Sequence, residues 1–185
     1  MSSIAITGGA TGTGVFSLLA PSTSTNRTIN LPDSNGTILT TATAGVPVNG
    51  PAFSAYQSSA QTLSSATWTK LQFQTEEFDT NSNFDSATNY RFTPTVAGYY
   101  QVNGGLAIAA SNTGIRVAIY KNGTVYKYLS YDYSSAAGAG YGSALVYLNG
   151  SSDYIELYGR VAAGQALDAI LHTTYFQAAM VRSAV

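Results

Sequence analysis

Hydrophobic and polar residues alternate along most of this chain with the two-residue period of a β-strand. After residue 51, the alternating segments are short, and clusters of glycine, proline, asparagine and serine separate them. The inward-facing rows that the pattern predicts are Leu71 and Phe73; Tyr100, Val102, Leu106 and Ile108; Ile115, Val117 and Ile119; Ala144, Val146 and Leu148; Ile155, Leu157 and Val161; and Phe176, Ala178 and Met180. About eight to ten antiparallel strands without an amphipathic helix predict an all-β sandwich or barrel.

Local turn signals indicate where these strands reverse. The dipeptide Asn122-Gly123 predicts a two-residue hairpin, because both of its central positions need positive φ. Residues 149–153 predict another turn, and the glycine-rich segment 134–142 predicts a loop. Gly104-Gly105 lies inside the longest predicted strand, which indicates either a bulge or a close approach by another backbone.

Residues 1–50 differ in composition from residues 51–185. They are rich in threonine, serine, glycine and asparagine, and they contain too few large apolar side chains to bury a core of their own. We therefore expect an attachment or stalk segment at 1–50 that packs on the domain, on sister chains or on another protein, followed by a head domain at 51–185. The alternative for residues 1–50 is a flexible linker.

The charge content is low, because charged residues make up 9% of the chain and the net charge is −1. A typical domain has about 25% charged residues. The eight lysines and arginines are scattered, which argues against nucleic acid and anionic membranes as partners. No stretch approaches the 18 apolar residues of a membrane span. The absence of cysteine excludes disulfides and thiol chemistry.

One stretch of the head domain resembles the signature of the complement globular-head (C-one-q) family. The matching residues, in order, are Phe73, Phe84-Asp85, Thr88-Asn89, Phe92-Thr93-Pro94 and Gly98-Tyr99-Tyr100-Gln101-Val102. Asn89 replaces the usual glycine, and we expect it to tolerate positive φ in that turn. Val102 replaces the last aromatic residue of the pattern. The resemblance implies the trimeric jelly roll that this family shares with tumour necrosis factor.

A second resemblance covers about 30 residues before the head. The segments Leu19-Ala20-Pro21, Thr28-Ile29-Asn30-Leu31-Pro32 and Gly36-Thr37-Ile38-Leu39-Thr40 resemble a short β module of bacteriophage tail-fibre and appendage proteins. This resemblance implies that residues 1–50 attach the chain to other virion proteins. The N-terminus has no basic region and no apolar run of signal-peptide length. We therefore expect synthesis in the host cytoplasm and location in the virion.

Candidate catalytic and metal-binding residues are few. The chain has one histidine, His172, which we expect to be structural. Glu76 and Glu77 are adjacent on a predicted strand, so they point to opposite faces and are a poor pair for acid–base chemistry. Members of the complement-head family can hold calcium, and Asp79 and Asp85 are the candidates here. No recognisable ligand run surrounds them, so the sequence predicts no catalytic residue, no cofactor and no metal.

Tyrosine carries the strongest binding signal, with fourteen in the chain. Exposed tyrosines offer a large contact area at low entropic cost and a hydroxyl for hydrogen bonding, which suits recognition of sugars or proteins. The candidate receptor-binding residues are Asn122, Tyr126, Tyr128, Tyr131, Asp132, Tyr133 and Tyr141. The alternative is that these tyrosines are ordinary strand and trimer-interface residues.

These observations predict a non-enzymatic bacteriophage structural protein. It would be a homotrimeric fibre, spike or appendage head that presents a surface to a host glycan or protein. Three alternatives remain: an architectural trimer of the capsid or tail without a receptor, a bacterial surface protein of the same fold, and a depolymerase.

Overall fold

The computed structural model describes residues 50–112, 114–131, 137–162, 165–166 and 173–184. Within these ranges the chain forms strands and no helix, so it contains no helix that is long and apolar enough to span a membrane. The strands are β1 (Ala52–Tyr56), β2 (Thr62–Leu63), β3 (Thr69–Lys70), β4 (Thr75–Asp79), β5 (Phe84–Asp85), β6 (Arg91–Phe92), β7 (Ala97–Asn112), β8 (Ile115–Lys121), β9 (Thr124–Tyr131), β10 (Ala137–Asn149), β11 (Ile155–Val161), β12 (Gln165–Ala166) and β13 (Tyr175–Ser183). The predicted attachment segment, its resemblance to phage proteins, His172, Asp132 and Tyr133 lie outside the described residues.

Two antiparallel sheets form a sandwich. Sheet I has the strand order β10-β7-β13-β1-β4. Sheet II has the order β5-β6-β11-β8-β9, and β3 also pairs with β11. The first long strand lies beside the last one, because β1 pairs with β13 in sheet I. This interleaving of distant strands between two sheets is a jelly roll, and it confirms the predicted all-β jelly-roll sandwich.

The core lies between the sheets. The predicted inward rows are buried, except that Met180 is only partly covered. Phe53 occupies the centre of an aromatic cluster, with ring centroids 4.5 Å from Phe84, 4.6 Å from Phe92 and 5.1 Å from Phe176. Phe53 and Phe176 belong to sheet I, whereas Phe84 and Phe92 belong to sheet II, so the cluster joins the two sheets of the sandwich.

The predicted strand around Leu71 and Phe73 is interrupted, although both side chains are fully buried. Residues 69–70 pair with β11 in sheet II, whereas residues 75–79 pair with β1 in sheet I. The chain crosses between the sheets over residues 71–74 and keeps its inward alternation while doing so. At the crossing, the Leu71 N–H donates to the Leu157 carbonyl oxygen at 2.9 Å.

The two turn predictions have different outcomes. The hairpin between β8 and β9 is confirmed, with φ of 52° at Asn122 and 78° at Gly123. The expectation of positive φ at Asn89 is wrong, because Tyr90 adopts it instead, with φ of 49°. The Asn89 N–H and its Nδ2 donate to Asp85 Oδ2 at 3.2 and 2.6 Å, which holds Asn89 in the preceding turn.

The prediction of a loop over 134–142 is wrong from residue 137 onward, because β10 already begins there. The glycines of this segment allow β10 to lie close to β9 of the other sheet. A Cβ added at Gly140 would lie 2.9 Å from Ser130 Oγ, and one added at Gly142 would lie 2.5 Å from the Leu129 carbonyl oxygen. The absence of side chains at Gly140 and Gly142 therefore lets β10 pack directly against β9 on this side of the sandwich.

Gly104-Gly105 serves a close approach and not a bulge. The pairings of β7 with β10 and β13 run through both residues without a register shift. A Cβ at Gly105 would overlap the Tyr141 side chain, and one at Gly104 would lie 2.8 Å from Leu157 Cδ2.

Candidate binding surfaces

The structure distributes the predicted receptor-binding residues over different places. Tyr128 and Tyr131 lie on the solvent side of sheet II and are about half exposed. Tyr126, on the same strand, reaches toward β10, where its hydroxyl donates to the Leu145 carbonyl oxygen at 3.4 Å. Tyr141 stacks on Tyr175 at 5.9 Å in sheet I. These tyrosines therefore do not form one continuous site, and their contact with a receptor stays a prediction.

The side chain of Asn122 holds two turns together. Its Nδ2 donates to Asp153 Oδ1 at 2.7 Å, and its Oδ1 accepts the Tyr154 N–H at 2.9 Å. Asp153 also pairs with Lys121 Nζ at 2.8 Å. This Lys121 contact, followed by the Asn122 and Asn149 hydrogen bonds, keeps the pKa of Asp153 below its ordinary value despite desolvation. Asn122 thus stabilises the sandwich end beside the hairpin.

A set of aromatic side chains covers the solvent side of sheet II. Its members, which we call the outer aromatic face, are Trp68, Tyr120, Tyr128, Tyr131 and Tyr158. Tyr120 and Tyr158 stack with centroids 3.9 Å apart and an interplanar angle of 22°. Trp68 stacks on Tyr128 at 5.7 Å and lies 6.2 Å from Tyr120. The rings therefore pack against one another across β8, β9, β11 and the segment just before β3.

The strand period explains why these residues share a face. Because Ile115, Val117 and Ile119 point into the core, Arg116 and Tyr120 must point to solvent. Directly paired residues on neighbouring strands point to the same side, so Tyr131 lies beside Arg116. The Arg116 guanidinium carbon lies 4.4 Å from the Tyr131 ring centroid, in cation–π geometry.

A partly buried ion pair borders the outer aromatic face. Glu156 points to the expected solvent side, yet it is only 5% exposed, and its Oε1 lies 2.9 Å from Lys70 Nζ. Burial first, and then the negative charge of Glu156, raise the pKa of Tyr158. Burial, together with the neighbouring Tyr128, also raises the pKa of Tyr120. Both hydroxyls therefore ionise at a higher pH than that of an exposed tyrosine.

Sheet I also exposes apolar side chains to solvent. Tyr99, Leu145, Tyr147 and Val181, which we call the apolar face of sheet I, are 41–56% exposed. They line a shallow hollow together with Arg182 and Ala184, and the Tyr99 and Tyr147 rings lie 5.4 Å apart. The sequence signal for this face was the presence of apolar residues at consecutive positions in β7 and β10, where strict alternation fails.

The candidate calcium ligands are occupied by their own loop. Asp79 Oδ2 accepts the Phe84 N–H at 2.7 Å, and Asp85 Oδ1 accepts the Thr88 N–H at 2.8 Å. The Thr88 hydrogen bond is the largest cause that lowers the pKa of Asp85 to about 2. Among the described residues, no three histidine, cysteine or carboxylate side chains come together as metal ligands.

Glu76 and Glu77 contact different neighbours, as expected for residues on opposite faces of a strand. Glu76 Oε1 accepts the Ser86 hydroxyl at 2.6 Å, and Glu77 Oε2 accepts the Ser54 hydroxyl at 2.6 Å. These two carboxylates do not converge on one cleft.

No protein-family model matches the sequence, and no curated protein matches it either. Solved structures do resemble the fold. A crystal structure of murine APRIL at pH 8.5 matches with a TM-score of 0.55 and 12% identity, over 72% of this chain and 100% of that chain. The structure of Eiger TNF from S. frugiperda matches with a TM-score of 0.54 and 12% identity, over 74% of this chain and 95% of that chain. These neighbours are jelly-roll proteins of the tumour necrosis factor type, and at this identity they establish the fold alone.

Proposed function

We propose that this protein is a non-enzymatic, homotrimeric head of a virion appendage, which is anchored through residues 1–50 and presents a recognition surface on residues 51–185. The apolar face of sheet I is the observation that carries the assembly. Monomeric soluble proteins rarely expose a large contiguous apolar patch, and such patches mark interaction sites. The jelly roll of the family that residues 73–102 resemble is trimeric, and the fold that this chain shares with the APRIL and Eiger TNF structures supports a threefold arrangement here.

The chemistry of the apolar face suits contact between copies of the chain. Tyrosine is enriched at the cores of protein interfaces, and aliphatic side chains such as Leu145 and Val181 supply further buried area. Threefold symmetry brings three equivalent copies of this face together at one axis.

The virion location is supported by the resemblance of residues 19–40 to phage appendage proteins and by the neutral, cysteine-free composition. An N-terminal segment of this kind attaches by adding strands to a partner or by wrapping around sister chains. Three copies of one recognition surface multiply weak binding into avidity.

Fractionation of a culture that produces the protein tests this proposal. An antibody raised against residues 51–185 should label purified particles, and peptides of the chain should appear in the particle proteome at a multiple of three copies. Recovery only in the cell-envelope fraction would contradict the virion assignment and support a bacterial surface protein. Adsorption of the purified trimer to host cells distinguishes the recognition head from a purely architectural trimer.

A further inference from the structure

The strand register arranges the outer aromatic face in rows across sheet II. One row consists of Tyr131, Arg116 and Arg160, because β9, β8 and β11 pair at these positions. The next row toward the hairpin consists of Tyr128, Ala118, Tyr158 and Lys70. Successive rows lie about 7 Å apart, since they are two residues apart along a strand.

The first row contains an unusual pair of charges. Arg116 and Arg160 occupy directly opposite positions on neighbouring strands and point to the same side. Guanidinium groups present paired N–H donors that match a carboxylate, and Tyr131 lies against Arg116 at one end of the row.

The second row provides flat rings beside these cations. Tyr128 is 51% exposed, and Trp68 stacks against it. The small side chain of Ala118 forms a recess in the middle of the row, and it is fully buried beneath its larger neighbours. A sugar ring stacks on aromatic surfaces of this kind through its C–H groups, while phenolic hydroxyls hydrogen-bond to its hydroxyl groups.

Positive charge is concentrated in this sheet. Six of the seven lysines and arginines in the described residues belong to strands of sheet II, and they are Lys70, Arg91, Arg116, Lys121, Lys127 and Arg160. Of the acidic residues, Glu76, Glu77 and Asp79 belong to β4 of sheet I, and Asp85 and Glu156 belong to β5 and β11 of sheet II. On the solvent side of sheet II, Arg116 and Arg160 lie directly opposite each other, whereas Lys70 pairs with Glu156 and Lys121 pairs with Asp153. The two arginines are therefore the cations of this sheet that an acidic ligand would contact, although the net charge of the chain is −1.

We propose that the outer aromatic face binds an acidic polysaccharide, with sugar rings stacked on Trp68 and Tyr128 and with sugar carboxylates on Arg116 and Arg160. This inference deepens the proposed recognition role and rests on it. A polysaccharide suits the face better than a nucleic acid, because tyrosine hydroxyls match sugar hydroxyls. In addition, Lys70 is neutralised by Glu156, which leaves few charges for a continuous phosphate backbone.

Fluorescence of the full-length protein tests this assignment directly, because Trp68 is the one tryptophan of the chain. Titration with polygalacturonate and with alginate should change the emission of Trp68 and protect it from iodide quenching, whereas neutral dextran should do neither. The affinity should fall severalfold as salt rises, since charge contributes to binding.

Variants identify the residues responsible. Tyr128→Leu should weaken binding about tenfold, whereas Tyr128→Phe, which keeps the ring, should stay within about twofold of the wild type. Arg160→Gln should also weaken binding about tenfold while it keeps a donor toward the Ala66 carbonyl oxygen. Circular dichroism confirms that each variant is folded.

Four outcomes would overturn the inference: no binding of either polyuronide, equal binding of dextran, tighter binding of poly(dT), or no effect of Tyr128→Leu and Arg160→Gln. A trimer that adsorbs to host cells but fails these tests overturns the inference and leaves the proposed function standing. Specific polyuronide binding by a protein that is absent from particles supports the assignment of the face and overturns the proposed function.

Discussion

The close approach of β9 and β10 makes a sharp prediction about glycine. Gly142 and Gly138 both lie on β10, and neither has positive φ, so alanine is compatible with the backbone at both positions. A Cβ at Gly142 would lie 2.5 Å from the Leu129 carbonyl oxygen and 2.8 Å from Leu129 Cβ. A Cβ at Gly138 would meet nothing within 4 Å. The two positions therefore form a matched pair.

The magnitude follows from the overlap. Ordinary van der Waals contact begins at 3.4 Å, so Gly142→Ala must push the Leu129 backbone away by about 0.9 Å. Overpacking of this kind costs about 1–3 kcal/mol. Gly138→Ala should be neutral or should stabilise by about 0.5 kcal/mol, because alanine reduces the freedom of the unfolded chain.

Urea unfolding followed by circular dichroism at one fixed protein concentration measures both free energies of unfolding. A lower free energy of unfolding for Gly142→Ala, together with no decrease for Gly138→Ala, supports the close packing of β10 against β9. Small and equal changes in the free energy of unfolding at both positions would refute this packing, because they are expected for residues of a solvent-exposed loop.

Three further predictions concern the core, a carboxylate and a turn. Phe53→Ala should lower the free energy of unfolding by about 3–5 kcal/mol, since it removes the centre of the aromatic cluster, and a loss below about 1 kcal/mol in urea unfolding would contradict that packing. The pKa of Asp85 is lowered from 3.8 to about 2, so its ionised form stabilises the fold above about pH 4, and this contribution disappears as the pH falls through about 2. Solvent screening limits this contribution to about 1 kcal/mol. The difference in free energy of unfolding between the wild type and Asp85→Asn should therefore shrink as the pH is lowered from about 4 to about 2. A difference that stays constant over this range would contradict the lowered pKa of Asp85. Asn122→Ala should cost about 1–3 kcal/mol in thermal or urea unfolding, because it strains a positive φ and removes the hydrogen bonds to Asp153 and Tyr154, whereas Asn122→Gly should restore the part due to φ.

The local features of the fold were predictable from the sequence. The period of two places Val117 and Ile119 in the core whatever their partners are, and the Asn122-Gly123 dipeptide specifies its hairpin through φ alone. The position of positive φ near Asn89 was not predictable in the same way. The position of positive φ depends on which N–H groups donate to Asp85, and in the structure the backbone and side-chain amides of Asn89 do so.

The nonlocal features required the structure. Gly140 and Gly142 resemble loop residues in the sequence because the reason for their size lies across the sandwich, in Ser130 and Leu129. For the same reason, the sequence predicted only part of the outer aromatic face. Tyr128 and Tyr131 stood out as a local cluster, whereas Trp68 joins them through a register that connects strands distant in the chain.

The apolar face of sheet I illustrates a further limit. The two-residue period correctly predicted that Tyr100 and Val146 point into the core, but the sequence also has apolar residues on the opposite side of β7 and β10, and it does not say whether that side is covered. The structure assigns Tyr100 and Val146 to the core and leaves Tyr99 and Leu145 exposed. The apolar face of sheet I is therefore the specific surface through which we expect the trimer to form.

Solution mass of the full-length protein, measured by light scattering, tests the central claim most directly. We predict three times the 19.3 kDa chain mass for the wild type. Leu145→Glu should reduce it to the mass of one chain, because residue 145 is 56% exposed and is the most exposed side chain of the apolar face. Tyr128→Glu, a matched charge on the solvent side of sheet II, should leave the trimer intact. A wild-type mass of a single chain would contradict the account, and so would a trimer that Leu145→Glu does not disturb.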